Sequence, residues 1–194
     1  MSSEHRKNIA KCIGFIGRVH NPWTVFGDFL TMAAISISNN CDPDYLFTSK
    51  EIRDEREERY LRTIKKYDRK EQLMIMSMFA ELVEELEMYC GKDSIHLTDV
   101  LGEMFHELNF NDAWKGQFFT RQHVCDMTGE LALDGEHCKQ AVADKGYFTV
   151  NEPCCGGGAM IYGAANAAHK FGLNHNKNIL VFAGDIDERC VFMT

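Results

Sequence analysis

Proline is scarce: Pro22, Pro43 and Pro153 are the three in 194 residues, and no two are adjacent. Any motif built on a Pro-Pro step is excluded. Paired cysteines are missing too. The eight thiols (Cys12, Cys41, Cys90, Cys125, Cys138, Cys154, Cys155 and Cys190) include no CxxC spacing. No zinc site is therefore expected, and the thiols read as structural or incidental. Pro153, Cys154 and Cys155 do not complete a deaminase zinc signature, which needs two residues between its cysteines and an HxE upstream. No apolar run approaches the roughly 20 residues of a membrane helix. The polar start MSSEHRKN is not a signal peptide, so a cytoplasmic protein without membrane contact is expected. Positive charge is in deficit, with 21 Lys and Arg against 29 Asp and Glu and a net charge of −8. That balance argues against broad non-specific nucleic-acid binding by the chain as a whole, though not against a local basic groove.

What is present is ordinary globular composition, 45% hydrophobic and 26% charged, over a length suited to one or two domains. Residues 1–23 read as mixed, with Gly14, Gly17 and Pro22 interrupting any pattern. Val25, Phe26, Phe29, Leu30, Ala33 and Ile37 follow at helical spacing, and 39–44 form a turn cluster. Thr48 with Glu51 predicts a capping box for a charged helix over 49–67, with a narrow stripe of Ile52, Tyr60, Ile64 and Tyr67. Its basic residues, Arg53, Arg56, Arg59, Arg62 and Lys65, read as a solvated face supported by pairs four apart. A further helix is expected over 71–89, with Ile75, Phe79, Leu82, Leu86 and Tyr89 on one side and Gly91 as its stop. Met74, Met76 and Met78 read as core filler. Thr98 or Asp99 caps a short helix carrying Leu101, Met104, Phe105 and Leu108, while His96 and His106 read as surface or core histidines. The region 1–110 is thus expected to be mainly α-helical.

Two aromatics between Gly-Gln and Thr, in GQFFT at 116–120, are unusual for a linker, and Phe118 or Phe119 suits the face of a purine. Thr120 is placed to cap the next helix, with Val124, Met127 and Leu131 inward; 134–144 reads as a polar loop. Residues 146–194 then organise the rest. A strand over 147–151, a glycine turn at Gly156, Gly157 and Gly158, an alanine-rich helix over 159–171 and a strand over 179–183 make a parallel βαβ unit. Glycines admit a ligand close to the backbone, and the helix start offers unpaired N–H groups carrying partial positive charge. A nucleotide-like or carboxylate-bearing ligand suits that point, and Asp185, ending the second strand, is placed to accept a ribose's two hydroxyls.

GQFFT, followed about 30 residues later by NEPCCGGGAM at 151–160 and then by AGDIDERC, resembles the adenine-specific (N6) DNA methyltransferases. The similarity is to modification subunits of type I restriction–modification systems and their phage-borne relatives, and it covers about 98–194. It implies S-adenosylmethionine (S-adenosyl-L-methionine) as cofactor. Gln117, Phe118, Phe119 and Thr120 would line its methionine end and adenine. The loop from Glu152 through Pro153, Cys154, Gly156 and Gly157 to Gly158 would lie beneath, and Asp185 would hold the ribose hydroxyls. Arg121 stands where the family usually has proline, and Glu152 where aspartate is commoner. The implied fold is α/β: a helical N-terminal region, then over 111–194 the start of a Rossmann-like S-adenosylmethionine-dependent methyltransferase fold, truncated after the second strand.

The family's base-handling loop, N/D/S-P-P-Y/F/W, has no counterpart, because there is no Pro-Pro; Asn21-Pro22-Trp23 lacks the second proline and precedes a helix. No catalytic residue is therefore assigned. The chain reads as the cofactor-binding half of a site-specific adenine methyltransferase, reaching DNA only through a complete enzyme and not expected to methylate alone. Implied partners are DNA, a specificity subunit, or a chain supplying the missing strands. One alternative is a non-catalytic S-adenosylmethionine-binding or partner-complementing module whose short sheet exposes an edge. Another is a dinucleotide-binding oxidoreductase fragment, disfavoured because Ile161 occupies the third glycine position of G-x-G-x-x-G.

Overall fold

A computed structural model describes residues 3–41, 48–89, 96–110 and 119–194. It divides into two compact units, 1–85 and 86–194.

The first unit is helical. Helix α1 spans Glu4–His20, capped by Ser3, whose hydroxyl accepts the Arg6 N–H. Ile9, Ile13 and Ile16 are buried along one face. Residues 1–23 are therefore not irregular. Gly14 and Gly17 each cost a helix about 1 kcal/mol, but three buried isoleucines contribute about 1.5–3 kcal/mol apiece. Pro22 breaks nothing either, for it opens α2 (Pro22–Cys41), where a fixed φ suits the first helical turn. Asn39 and Asn40, read as turn, lie within α2, whereas 42–44 fall outside the described residues.

Helix α3 (Lys50–Ile64) takes its cap from Ser49, not Thr48. In α4 (Arg69–Glu87) the expected stripe is kept by Ile75 and Leu82, with Met78 completing it. Met76 is exposed, so only part of the methionine trio fills core. Asp68 and Glu71 cap the start of α4 reciprocally, each carboxylate accepting the other's N–H at 2.8 and 2.9 Å. Glu85 is fully buried and accepts from Arg6 Nε at 2.7 Å, an ion pair that would be costly to break from one side. Gly91, the expected helix stop, lies outside the described residues.

The second unit contains α5 (Val100–Glu107), α6 (Gln122–Ala132), α7 (Gly135–Lys145), β1 (Phe148–Glu152), α8 (Ala159–Lys170), α9 (His175–Asn178), β2 (Ile179–Ala183) and α10 (Glu188–Met193). Strands β1 and β2 pair in parallel, Phe148 opposite Ile179 through to Glu152 opposite Ala183. The fold expectation needs correction here. The described residues are mostly helical, the sheet has only these two five-residue strands, and the start of a Rossmann-like fold is not seen.

The physical reason lies in α8. Its small residues, Gly163, Ala164, Ala167 and Ala168, are buried, and its main packing partner is α6. A Cβ on Gly129 would stand 2.5 Å from the Gly163 carbonyl oxygen, and one on Gly163 would overlap the Cys125 carbonyl. Two helix backbones meet at paired glycines, so helix-on-helix packing takes the place of a broad sheet. The same contact overturns the expected inward face of α6: Val124, Met127 and Leu131 are exposed, while Cys125 and Gly129 are buried. The stretch 134–144 is not a loop but α7, with Asp134 accepting from Glu136 and His137 at its start and Gly146 left-handed at its end. Cys138 on α7 packs with Phe148 and Ala168 beneath β1. Among the described residues, no helix is long and apolar enough to cross a membrane.

Candidate ligand site at the glycine turn

The ladder between β1 and β2 continues past the strands. Gly184 N–H donates to the Glu152 carbonyl at 2.9 Å, and Cys155 N–H donates to the Gly184 carbonyl at 2.9 Å. These bonds lay the turn 153–158 directly beside Asp185. Gly156 (φ 55°) and Gly158 (φ 97°) take the left-handed conformation that a side chain resists. Gly158 occupies the cap position of α8 without a side-chain cap bond.

Asp185 fastens the turn with both carboxylate oxygens. Oδ2 accepts the Gly156 N–H at 2.9 Å, and Oδ1 accepts the Asp187 N–H at 2.9 Å. Asp187 in turn accepts two bonds from the Arg189 guanidinium, at 3.0 and 2.9 Å. Thr194 Oγ1 donates to the Gly156 carbonyl at 3.0 Å. Ile186, between the two aspartates, is fully exposed.

Phe119 reaches the turn from the other side. A Cβ on Gly156 would stand 3.0 Å from its ring. The ring lies 4.9 Å from that of Phe105 and 5.6 Å from that of His106, and the Phe119 N–H donates to His106 Nε2 at 3.3 Å. Asp99 is pressed against the next glycine, so that a Cβ on Gly157 would overlap its carboxylate. Asp99 is buried and caps α5 by accepting the Gly102 N–H at 2.7 Å. Asp99 and Phe119 also line a cavity of about 800 Å³ with Glu103, His106, Arg121 and Gln122, and none of its lining residues belongs to the turn or is Asp185.

The expected site residues are thus partly gathered. Phe119, Gly156, Gly157 and Asp185 meet. Thr120 and Arg121 are exposed on the cavity side, and Arg121 rather than Thr120 occupies the cap position of α6, with no side-chain cap bond. Pro153 and Cys154 are exposed on the turn, while Glu152 folds back to accept the Cys154 N–H at 3.2 Å. Gln117 and Phe118 lie outside the described residues.

Four further polar residues belong to the surroundings, and sequence reasoning had passed over three of them. Gln122 Oε1 accepts the Asp99 N–H at 3.2 Å, and its Nε2 donates to Asp126 at 2.9 Å. Buried Asn166 exchanges bonds with the backbone of Leu97 at 2.8 Å each and donates to the same Asp126 at 2.9 Å. Asparagine inside an alanine run, as in GAANAAHK, was the available signal, because a polar group in a small-residue face needs a buried partner. His106, read as a bystander, is the acceptor that holds Phe119.

Two buried thiols, Cys125 and Cys190, are held in the protonated form. Burial, then the neighbouring Asp126, Asp99 and Glu152 carboxylates, push Cys125 up to about 11. Burial, with Asp185 and Asp187 next, pushes Cys190 up to about 12. Both stay protonated at neutral pH, and a thiol reacts or ligates as thiolate. The N–H groups of Cys154, Cys155, Gly156 and Gly158 are spent within the chain. The main-chain donors at this point are therefore those of the first turn of α8, beside one carboxylate, an aromatic face and exposed apolar surface. No family model, curated protein or solved structure matches the chain.

Proposed function

We propose that the glycine turn, Asp185 and Phe119 form a binding site for S-adenosylmethionine, and that this chain is the cofactor-binding part of an adenine-N6 DNA methyltransferase of the restriction–modification type, working in the cytoplasm. The observation that carries the reading is the bond from Gly156 N–H to Asp185 Oδ2, with the Phe119 ring against the same glycine. Three segments distant in sequence, the ones that carry the resemblance to the family's motifs, meet at one residue.

Each group has a role on this reading. The first turn of α8, a 12-residue helix, presents main-chain N–H groups and partial positive charge to the cofactor's carboxylate. Asp185 has lone pairs left on both oxygens after its two main-chain bonds, enough to accept ribose hydroxyls. Ile186 and Phe119 offer apolar surface for the adenine ring. Bound S-adenosylmethionine would supply an activated methyl group on a sulfonium. The chain's own residues would orient that group and exclude water from it, which is the larger share of what an in-line displacement asks of a protein. Holding the target base falls to a Pro-Pro loop that this sequence does not contain, so the chain supplies one half of the reaction.

Calorimetric titration of the whole chain with S-adenosylmethionine and with NAD, on wild type and Asp185→Ala, tests the reading. Saturable S-adenosylmethionine binding that weakens at least about tenfold in Asp185→Ala is expected, the loss of roughly 1.4 kcal/mol. Binding of neither ligand overturns the site, and binding of NAD alone points to a dinucleotide enzyme.

A further inference from the structure

Strand β2 has one partner. Its sheet holds two strands, and among the described residues only β1 pairs with it, which leaves the main-chain N–H and C=O groups of its other edge without a ladder. The strand reads Ile-Leu-Val-Phe-Ala with no polar residue, and Leu180, Val181 and Phe182 are 41, 37 and 57% exposed. The companion strand is of different character, since its exposed positions are Thr149 and Asn151. None of the devices that blunt an edge strand, such as lysine, proline or a bulge, is found within β2.

The flanks identify what fits. Lys177 is the cation just before the strand, and Asp185, Asp187 and Glu188 follow it, a flank that stays net acidic although Arg189 is bound to Asp187. A second β2 laid antiparallel brings the basic flank of each strand to the acidic flank of the other, at both ends. A parallel, in-register neighbour would set acid on acid at one end and base on base at the other. Antiparallel pairing centred on Val181 sets Ile179 opposite Ala183 and Leu180 opposite Phe182, each twice, with Val181 facing its own copy.

We infer that β2 is a self-pairing edge, through which two copies of this chain form a two-fold dimer with a continuous four-stranded sheet. A two-fold axis closes the assembly, because the one apolar strand edge among the described residues of each copy is used up by the other. The aliphatic–aromatic pairs of Leu180 with Phe182 and the two flank ion pairs set the register. The pairing itself needs no cofactor, and in this register Lys177 comes opposite Asp185 of the other copy.

Sedimentation velocity on the whole chain over a concentration series tests this. A reversible monomer–dimer equilibrium is expected. Val181→Lys, which sets two ammonium groups face to face on the axis, yields monomer with an unchanged circular dichroism spectrum. Leu73→Lys, at an exposed apolar position on α4, leaves the dimer intact. Lys177→Asp dimerises about tenfold more weakly, because the two-fold axis repeats the lost pair; it decides the matter if Val181→Lys does not fold. A monomer at every concentration, a dimer that survives both β2-flank and β2-centre substitutions, or open-ended oligomers would each overturn the proposal.

Discussion

The Gly156 N–H donates to Asp185 Oδ2 at 2.9 Å, tying the turn after β1 to the second residue past β2. A single carboxylate therefore sets the shape of the turn before any ligand arrives, since its other oxygen holds Asp187 N–H.

Replacing that carboxylate loosens the turn. Asp185→Ala removes two charge-assisted acceptors, and a loss of about 2 kcal/mol in unfolding free energy is expected. Asp185→Asn does not rescue it fully: whichever way the amide lies, its NH₂ faces one of two N–H donors. Urea unfolding measures both, and unchanged midpoints would mean the two bonds contribute nothing.

The contact between α6 and α8 inverts a rule of helix propensity. Gly163→Ala raises helix propensity by about 1 kcal/mol, but the new methyl overlaps the Cys125 carbonyl, and overpacking costs about 1–3 kcal/mol. A net destabilisation is expected, read as a lower melting temperature. A higher one would show that the helices do not approach so closely.

Asp99 and Gly157 are coupled. Asp99→Ala alone loses the α5 cap, about 1 kcal/mol, and Gly157→Ala alone forces its methyl onto a carboxylate pinned by Gly102 N–H. In the Asp99→Ala background the Gly157→Ala methyl has room. A double-mutant cycle should give a coupling of about 1 kcal/mol or more; strict additivity would separate the two residues.

In the first unit, His5 Nδ1 lies 2.6 Å from Glu81 Oε2. That hydrogen bond, opposed by desolvation and aided by the charges of Glu81, Glu84 and Glu85, raises the His5 pKa above its ordinary 6.5, and the same bond lowers Glu81 below its ordinary 4.5. A raised histidine contributes stability that is complete below its unfolded pKa and lost as pH rises through the folded one. A lowered carboxylate contributes stability present above its unfolded pKa and lost as pH falls through the folded one. The pair therefore stabilises most between the two, near about pH 5–6. The stability difference between wild type and Glu81→Gln should be larger near about pH 6 than near about pH 8. Equal differences at the two pH values would remove the pair from the linkage.

The glycine turn, the helix after it and β2 were legible in the sequence because each rests on local preference. Three glycines mark the turn, alanines favour helix, and a β-branched and aromatic run bounded by polar residues favours strand; β2 lies at 179–183, as expected. Helix α1 was misread because Gly14 and Gly17 carry a local penalty, while the compensating burial of Ile9, Ile13 and Ile16 depends on packing that the sequence does not display. The stretch 134–144 was misread on polarity alone, although Asp134 and Gly146 were start and stop signals in plain sight.

By itself, then, the sequence marked the candidate segments: a glycine turn, an acid after a strand, and a phenylalanine pair between Gly-Gln and Thr. Only the tertiary structure decided what meets what. It set Phe119 on Gly156, Asp99 on Gly157 and Asp185 on the turn's N–H, and it turned α8 toward α6 rather than toward a broad sheet. The reason is physical: propensity and periodicity act over a few residues, whereas a carboxylate 29 positions from the amide it holds is placed by packing.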